Sequence, residues 1–242
     1  MAMINSFNYK FLILLLIFSS CKTQQNKVVS EDYIFKKGDY NGIGKWYAGR
    51  EIAYVMGFEG INWLERSSRE KEENTSKLIK NMTIKPTDVI ADIGAGSGYH
   101  VFKMAPLAHK GKVFAIDIQE EMLAAIFSNK KYEEYKNIAL IQGTKTKIDL
   151  PEKSVDKVLM VDVYHEFEYP KEMLASIYKS LKKDGEVFLI EYRLEDDAVP
   201  IKKIHKMSEK QSIKEMKLSG FKLKKNIRNL PWQHCMIFVK SN

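Results

Sequence analysis

Seven consecutive residues, Asp92-Ile93-Gly94-Ala95-Gly96-Ser97-Gly98, have the types and spacing of a loop that holds a nucleoside ligand. Glycines in such a run let the backbone turn sharply and let a ligand approach the main chain without meeting a Cβ. A helix opening behind them offers free N–H groups and positive dipole character, which suits a carboxylate. Asp117 closes the next apolar run, and an acid at the tip of a second strand is where a ribose diol is gripped. Dinucleotide sites favour G-x-G-x-x-G. Here the glycines are spaced G-x-G-x-G, with an acid two places before the first. That spacing disfavours a dinucleotide oxidoreductase.

Two further stretches carry groups able to meet a substrate. Asp162-Val163-Tyr164-His165-Glu166-Phe167 follows the fourth apolar run, and Glu191-Tyr192-Arg193 ends the fifth. His165 is the candidate general base, because an unperturbed imidazole titrates near neutral pH; it is equally readable as a packing histidine that holds the loop. Glu166 would orient it or face solvent. Tyr164, Arg193 and His205 are candidate substrate contacts, with Arg193 either clamping an anion or pairing with Glu191 or Glu195. His165, Glu166, His205 and His234 show no helical H-x-x-x-H or other paired ligand spacing, so no metal is expected.

These groups need a scaffold, and the apolar pattern supplies one. Strands are predicted at 89–93, 112–117, 138–142, 156–162 and 185–192, with helices near 97–108, 119–130 and 170–182 between them. Continuous apolar runs such as Val158-Leu159-Met160-Val161 fit a parallel sheet covered on both faces. After Tyr192 come a helix at 207–218 and strands near 221–228 and 234–240, readable as a hairpin. The layout is an α/β doubly wound, Rossmann-like domain over residues 86–242. Ahead of it, residues 33–85 read as an N-terminal helical cap, with a short helix around 49–56 and a charged one over 63–80.

The glycine loop and its surroundings resemble the signature of class I S-adenosylmethionine-dependent methyltransferases. The likeness extends over most of residues 47–240. Asp156 to Asp162 resembles the fourth-strand motif. Leu181-Lys182-Lys183-Asp184-Gly185-Glu186 resembles the turn before the fifth strand, with Lys183 and Asp184 at the family's Pro and Gly. The resemblance implies a seven-stranded sheet, mostly parallel with its last strand antiparallel, and S-adenosylmethionine as cofactor. It implies that Asp92, Gly94, Gly96 and Gly98 border the methionine part, Asp117 the ribose, and Ile118 the adenine, with Ala95 and Asp162 also among the cofactor-binding residues. The family's acid after the third strand is replaced by Gly143-Thr144-Lys145, which leaves adenine contact to Thr144 or main chain. The segment from Trp46 to Ala53, followed by Trp63-Leu64-Glu65-Arg66, resembles a subgroup of undefined substrate. Placed there it would act as a lid, bringing Tyr47 and Arg50 to the substrate; the plainer reading is a pair of helices covering the sheet, with Ile52, Val55 and Met56 as their apolar face.

The first residues tell of address. Lys10 precedes an apolar run, Phe11 to Phe18, too short to cross a bilayer as a helix and of the length of a signal-peptide core. Ser19-Ser20-Cys21 resembles the processing site of bacterial lipoproteins, which implies a signal peptide at 1–20, lipidation of Cys21, a tether at 21–32 and an extracytoplasmic, membrane-anchored protein. Cys21 and Cys235 are the only cysteines, so acylation of the first leaves the second unpaired. The formal charge of +8, from 39 basic and 31 acidic side chains, is spread over solvated helical faces, and no nucleic-acid partner is expected. The expected function is methyl transfer to a small-molecule or envelope-associated acceptor such as a lipid or a quinone. The alternative is a non-catalytic module of the same fold that binds a nucleoside or a protein partner.

Overall fold

Alternating faces of one sheet explain most of the buried sequence. The computed structural model describes residues 32–241; the expected signal peptide and Cys21 lie outside them, as does the tether except its last residue, Asp32. The described residues open with strands β1 (Tyr33–Phe35), β2 (Gly42–Tyr47) and β3 (Arg50–Ala53). Three short helices follow, α1 (Ile61–Leu64), α2 (Arg69–Glu73) and α3 (Thr75–Asn81). Then come β4 (Val89–Ile93), α4 (Val101–Met104), β5 (Lys112–Asp117), α5 (Glu120–Ser128), α6 (Lys130–Glu134) and β6 (Ile138–Gln142). The second half holds β7 (Val155–Val161), α7 (Pro170–Ser180), β8 (Leu181–Tyr192), α8 (Glu209–Leu218), β9 (Phe221–Asn226) and β10 (Gln233–Lys240).

The main sheet has seven strands in the order β6-β5-β4-β7-β8-β10-β9. All neighbours run parallel except β10, which is antiparallel to both β8 and β9. Strand order reverses between β4 and β7, so the crevice beyond their carboxyl ends is the place where such sheets bind ligands. Side chains alternate across the pleat. Ile90, Leu159 and Phe188 pack with Leu78, Met82 and Ile126 on one face, while Ala91, Val158 and Val187 pack with Leu174, Ile177 and Met216 on the other. Burying each of the larger of these is worth about 1.5–3 kcal/mol, which is what holds helices as short as α3 in place.

The sheet follows the predicted strands closely, with β8 starting four residues before the expected 185. Those residues leave the ladder between Leu181 and Glu186, where the register against β7 shifts. The N-terminal cap differs from expectation. Residues 33–53 form a three-stranded antiparallel sheet, β1-β2-β3, and the helical turns lie within 58–81. Tyr47 pairs with Arg50 across a two-residue turn, Ala48-Gly49, in which both residues have positive φ. That is the geometry of a hairpin loop, whose twist matches the strands it joins. No helix among the described residues is long and apolar enough to cross a membrane.

Candidate active site

The tips of β4, β5, β7 and β8 and the segments around Met56 and Leu64 enclose a cavity of about 730 Å³. Its floor is the glycine loop. Gly94 and Gly96 have φ of +70° and +54°, which non-glycine residues adopt at a cost. A Cβ on Gly94 would meet Val163, and one on Gly96 would meet Leu64, so the space above the loop is already closely fitted. Asp117 fastens this loop. Its carboxylate accepts from the Gly96 N–H at 2.9 Å and from the Gln119 N–H at 3.0 Å.

Of the residues singled out in the sequence, Gly94, Gly96, Asp117, Ile118, Thr144, Asp162, His165, Glu166 and His205 all line this cavity. The Thr144 hydroxyl accepts from the Lys147 N–H at 3.1 Å and closes its own turn, which leaves main chain to meet a ligand there. Ala95 and Gly98 shape the loop from behind, and Asp92 is buried beneath it. Four expected substrate contacts are elsewhere. Tyr47 packs with Tyr33 and Ile52 in the small sheet. Arg50 forms a bidentate ion pair with Glu215, at 2.8 and 3.0 Å. Tyr164 is fully buried and donates to the same Glu215 at 2.8 Å. Arg193 is held by the carbonyls of Leu230 and Gln233 and by Asp196, not by Glu191 or Glu195. Arg50, Tyr164 and Arg193 have polar atoms committed to the scaffold and Tyr47 is buried in the small sheet, which is why none reaches the cavity.

His165 is placed by a partner that the sequence reading assigned elsewhere. Its Nδ1 lies 2.7 Å from Glu191 Oε2, and Glu191 Oε1 accepts from the Tyr164 and His165 N–H groups. A carboxylate can only accept, so Nδ1 carries a proton, and in the neutral imidazole Nε2 presents its lone pair. Nε2 is 3.1 Å from His205 Nδ1. Burial works against the imidazolium, but the Glu191 carboxylate outweighs it and holds His165 above the ordinary imidazole range. Burial pushes Glu166 up to about 7, and burial together with His165 pushes His205 down to about 4.

Arg69 and Glu73 lie within the charged helix expected over 63–80. Both line the cavity and are buried, joined by a 2.7 Å ion pair within α2. Glu73 also accepts from the Tyr192 hydroxyl at 2.9 Å. Beside them, Asp162 sits at the end of β7 in the left-handed region, φ +50°, with Oδ2 accepting from Gln233 and Oδ1 buried without a partner. Asp92 Oδ2 is likewise unpartnered. At Asp162, which lines the cavity, the strained backbone and the orphaned carboxylate oxygen mark a place built for a ligand's donors.

The comparisons with known proteins agree on the family. A family profile described as a methyltransferase domain matches residues 84–233. The chain is a class I methyltransferase. This methyltransferase is 30% identical over 143 residues to an uncharacterized methyltransferase of Bacillus subtilis, covering 59% of the chain and 76% of the relative. It is 31% identical over 120 residues to a tRNA U34 carboxymethyltransferase of Helicobacter pylori, covering 46% of the chain and only 43% of that enzyme. The crystal structure of an S-adenosylmethionine-dependent methyltransferase from Aquifex aeolicus superposes with a TM-score of 0.72 at 22% identity, over 77% of the chain and all of that protein. The cofactor of the methyltransferase is S-adenosylmethionine.

The residues present fit that group. Its ammonium can donate to the orphaned Asp162 oxygen, its carboxylate can pair with Arg69, and its ribose hydroxyls can reach Asp117. Asp92 is a separate case. Burial pushes its pKa up to about 8, well above the ordinary 3.9 of an unfolded chain. Its contribution to stability is therefore fully present below about pH 4 and is lost as pH rises through about 8. Asp92→Asn should raise the thermal midpoint at pH 8.5 by an amount on the order of 2 kcal/mol in stability and change it little at pH 4. Equal effects of the substitution at both pH values would show that Asp92 is solvated.

Proposed function

We propose that the methyltransferase methylates a heteroatom of a small-molecule acceptor seated over the tips of β7 and β8, with His165 receiving the acceptor's proton. The bound cofactor supplies an electrophilic methyl group on a sulfonium. Asp117, Asp162 and Arg69 orient the cofactor. The enclosing segments at Met56, Leu64 and Phe167 exclude water, and alignment in a dry site is the main help such a displacement needs. The carrying observation is the His165–Glu191 pair at 2.7 Å, opening onto the same cavity as the glycine loop.

The test uses the full chain. S-adenosylmethionine and its demethylated product should bind in calorimetry while NADH does not. Transfer of labelled methyl into cell-envelope extracts should fall about 10²–10⁴-fold in His165→Asn, with cofactor affinity retained. A variant as active as the parent would rule out the proton-accepting role, and label entering tRNA instead would overturn the small-molecule reading. Failure to bind either nucleoside would leave the non-catalytic alternative.

The acceptor class follows from a proposed address. Lys10, the apolar run and Ser19-Ser20-Cys21 support export and lipidation at Cys21, which would set the enzyme beside a bilayer and favour a lipid, quinone or envelope component. Radiolabelled palmitate should enter the full-length protein and not its Cys21→Ser form; equal labelling of both would remove the lipid anchor from this account.

A further inference from the structure

The geometry points to a divalent transition-metal site formed by His165, Glu166 and His205 in the wall of the cofactor cavity. Ligand atoms on the three side chains lie within 4.8 Å of one another. The pairwise distances are 3.1 Å from His165 Nε2 to His205 Nδ1, 3.7 Å from His165 Nε2 to Glu166 Oε1, and 3.9 Å from His205 Nδ1 to Glu166 Oε1. Metal–ligand bonds of about 2.0–2.2 Å at a tetrahedral angle separate neighbouring ligands by about 3.3–3.6 Å, so shifts of a few tenths of an ångström complete the site. Spacing along the chain concealed it. His165 and Glu166 share one 3₁₀ turn after β7, and His205 arrives on another after β8.

Two features go beyond proximity. Glu191 accepts a hydrogen bond from His165 Nδ1–H and aims Nε2 at its neighbours, the arrangement by which carboxylates orient metal-bound histidines. The three side chains also open onto the cavity, so a fourth coordination position would face the acceptor, as in zinc sites that keep a position open for chemistry. Two imidazoles and one carboxylate suit zinc or a neighbouring ion better than magnesium or calcium, which prefer all-oxygen sets. Binding requires only that His205 carry its proton on Nε2, which frees Nδ1 for the ion. His234 does not join the cluster; it pairs with Glu195 at 3.0 Å.

The catalytic consequence rests on the methyl-transfer reading, while the site itself does not. An oxygen, nitrogen or sulfur atom of the acceptor in the fourth position would lose its proton to solvent water more readily, because the ion stabilises the anion. With the ion bound His165 is a ligand, so its proton-accepting role belongs to the metal-free site. The substrate class is thereby narrowed to acceptors with a coordinating hydroxyl, thiol or amine.

The test is titration of the full chain, freed of metal by chelation, with Co²⁺ and then Zn²⁺ alone. One equivalent of Co²⁺ should give a visible absorption band of low-symmetry coordination, displaced by Zn²⁺. His205 is half-buried at the cavity wall and its loss should spare the fold, so His205→Ala is the decisive variant. It should lose the band while keeping the parent's thermal midpoint without metal. Glu191→Gln should weaken Co²⁺ binding about 10–100-fold. Absence of saturable binding, or binding that His205→Ala leaves unchanged, overturns the site. S-adenosylmethionine affinity measured on the same preparation separates the two conclusions: cofactor binding without metal binding sinks this inference alone, and metal binding without cofactor binding sinks only the methyl-transfer reading.

Discussion

Asp117→Ala is expected to lower affinity for S-adenosylmethionine about a hundredfold or more, the largest loss from any single polar side chain in the cavity. The carboxylate is buried and does two things. It ties the Gly96 N–H at 2.9 Å, fixing a loop whose backbone is in a region only glycine adopts easily, and it caps the turn into α5 through the Gln119 N–H at 3.0 Å. It also faces the cavity where the ribose must lie. Hydrogen bonds to a charged partner are worth about 1.5–3 kcal/mol each, and about 1.4 kcal/mol is tenfold in affinity. Asp117→Asn keeps one acceptor oxygen but turns an N–H₂ toward a donor, so its loss should be intermediate. Calorimetry on both variants, with thermal midpoints measured alongside, checks this. Unchanged affinity in a folded Asp117→Ala would show that the acid only shapes the loop and that the ribose is gripped elsewhere.

The features legible in the sequence are those set by local periodicity. The strands from Val89 to Tyr192 are nearly continuous apolar runs because both faces of the sheet are covered, and the glycine loop declares itself because only one residue type tolerates its backbone. The first small sheet was missed for a physical reason. Its hairpin turn is Ala48-Gly49, and Ala48 sits at φ +50° without the Asn or Asp that usually announces such a turn. Ile52, Val55 and Met56 meanwhile mimic the spacing of a helix. Long-range partners were illegible for a different reason. His165 appeared to pair with adjacent Glu166, but its Nδ1 meets Glu191 on the neighbouring strand, a contact created only by the β7–β8 register. A signal was present: Glu191 is an acid inside the run Val187-Phe188-Leu189-Ile190-Glu191-Tyr192, and an acid buried among such residues requires a partner. Arg69 and Glu73 had no such signal, since an i, i+4 charge pair on a polar helix usually faces water.

Arg50 is the position where the sequence and structural readings predict opposite experiments. A substrate clamp could be removed with little effect on folding. The structure instead places Arg50 as a strut between the small sheet and α8, with its side chain 11% exposed and that of Glu215 fully buried. Glu215 further accepts from Tyr164 and Gln211, and Arg50 donates to the His165 carbonyl at 3.0 Å, so one ion pair holds the ribbon, the helix and the histidine turn together. Removing only the cation strands a buried carboxylate. Arg50→Ala should therefore cost about 3–5 kcal/mol, the penalty typical of breaking a buried pair from one side. That corresponds to a fall of roughly 10 °C in thermal midpoint for a domain of this size. The double variant Arg50→Met/Glu215→Leu, which removes both charges and keeps bulk, should recover most of the loss, because an apolar pair of similar volume avoids the desolvation that the ions incur. A cost below about 1 kcal/mol for Arg50→Ala would place the pair in solvent-like surroundings and return Arg50 to the list of groups free to meet a substrate. The double variant adds a second discrimination. If it restores stability but not turnover, the strut matters for holding the His165 carbonyl; if it restores both, the ion pair serves the fold alone.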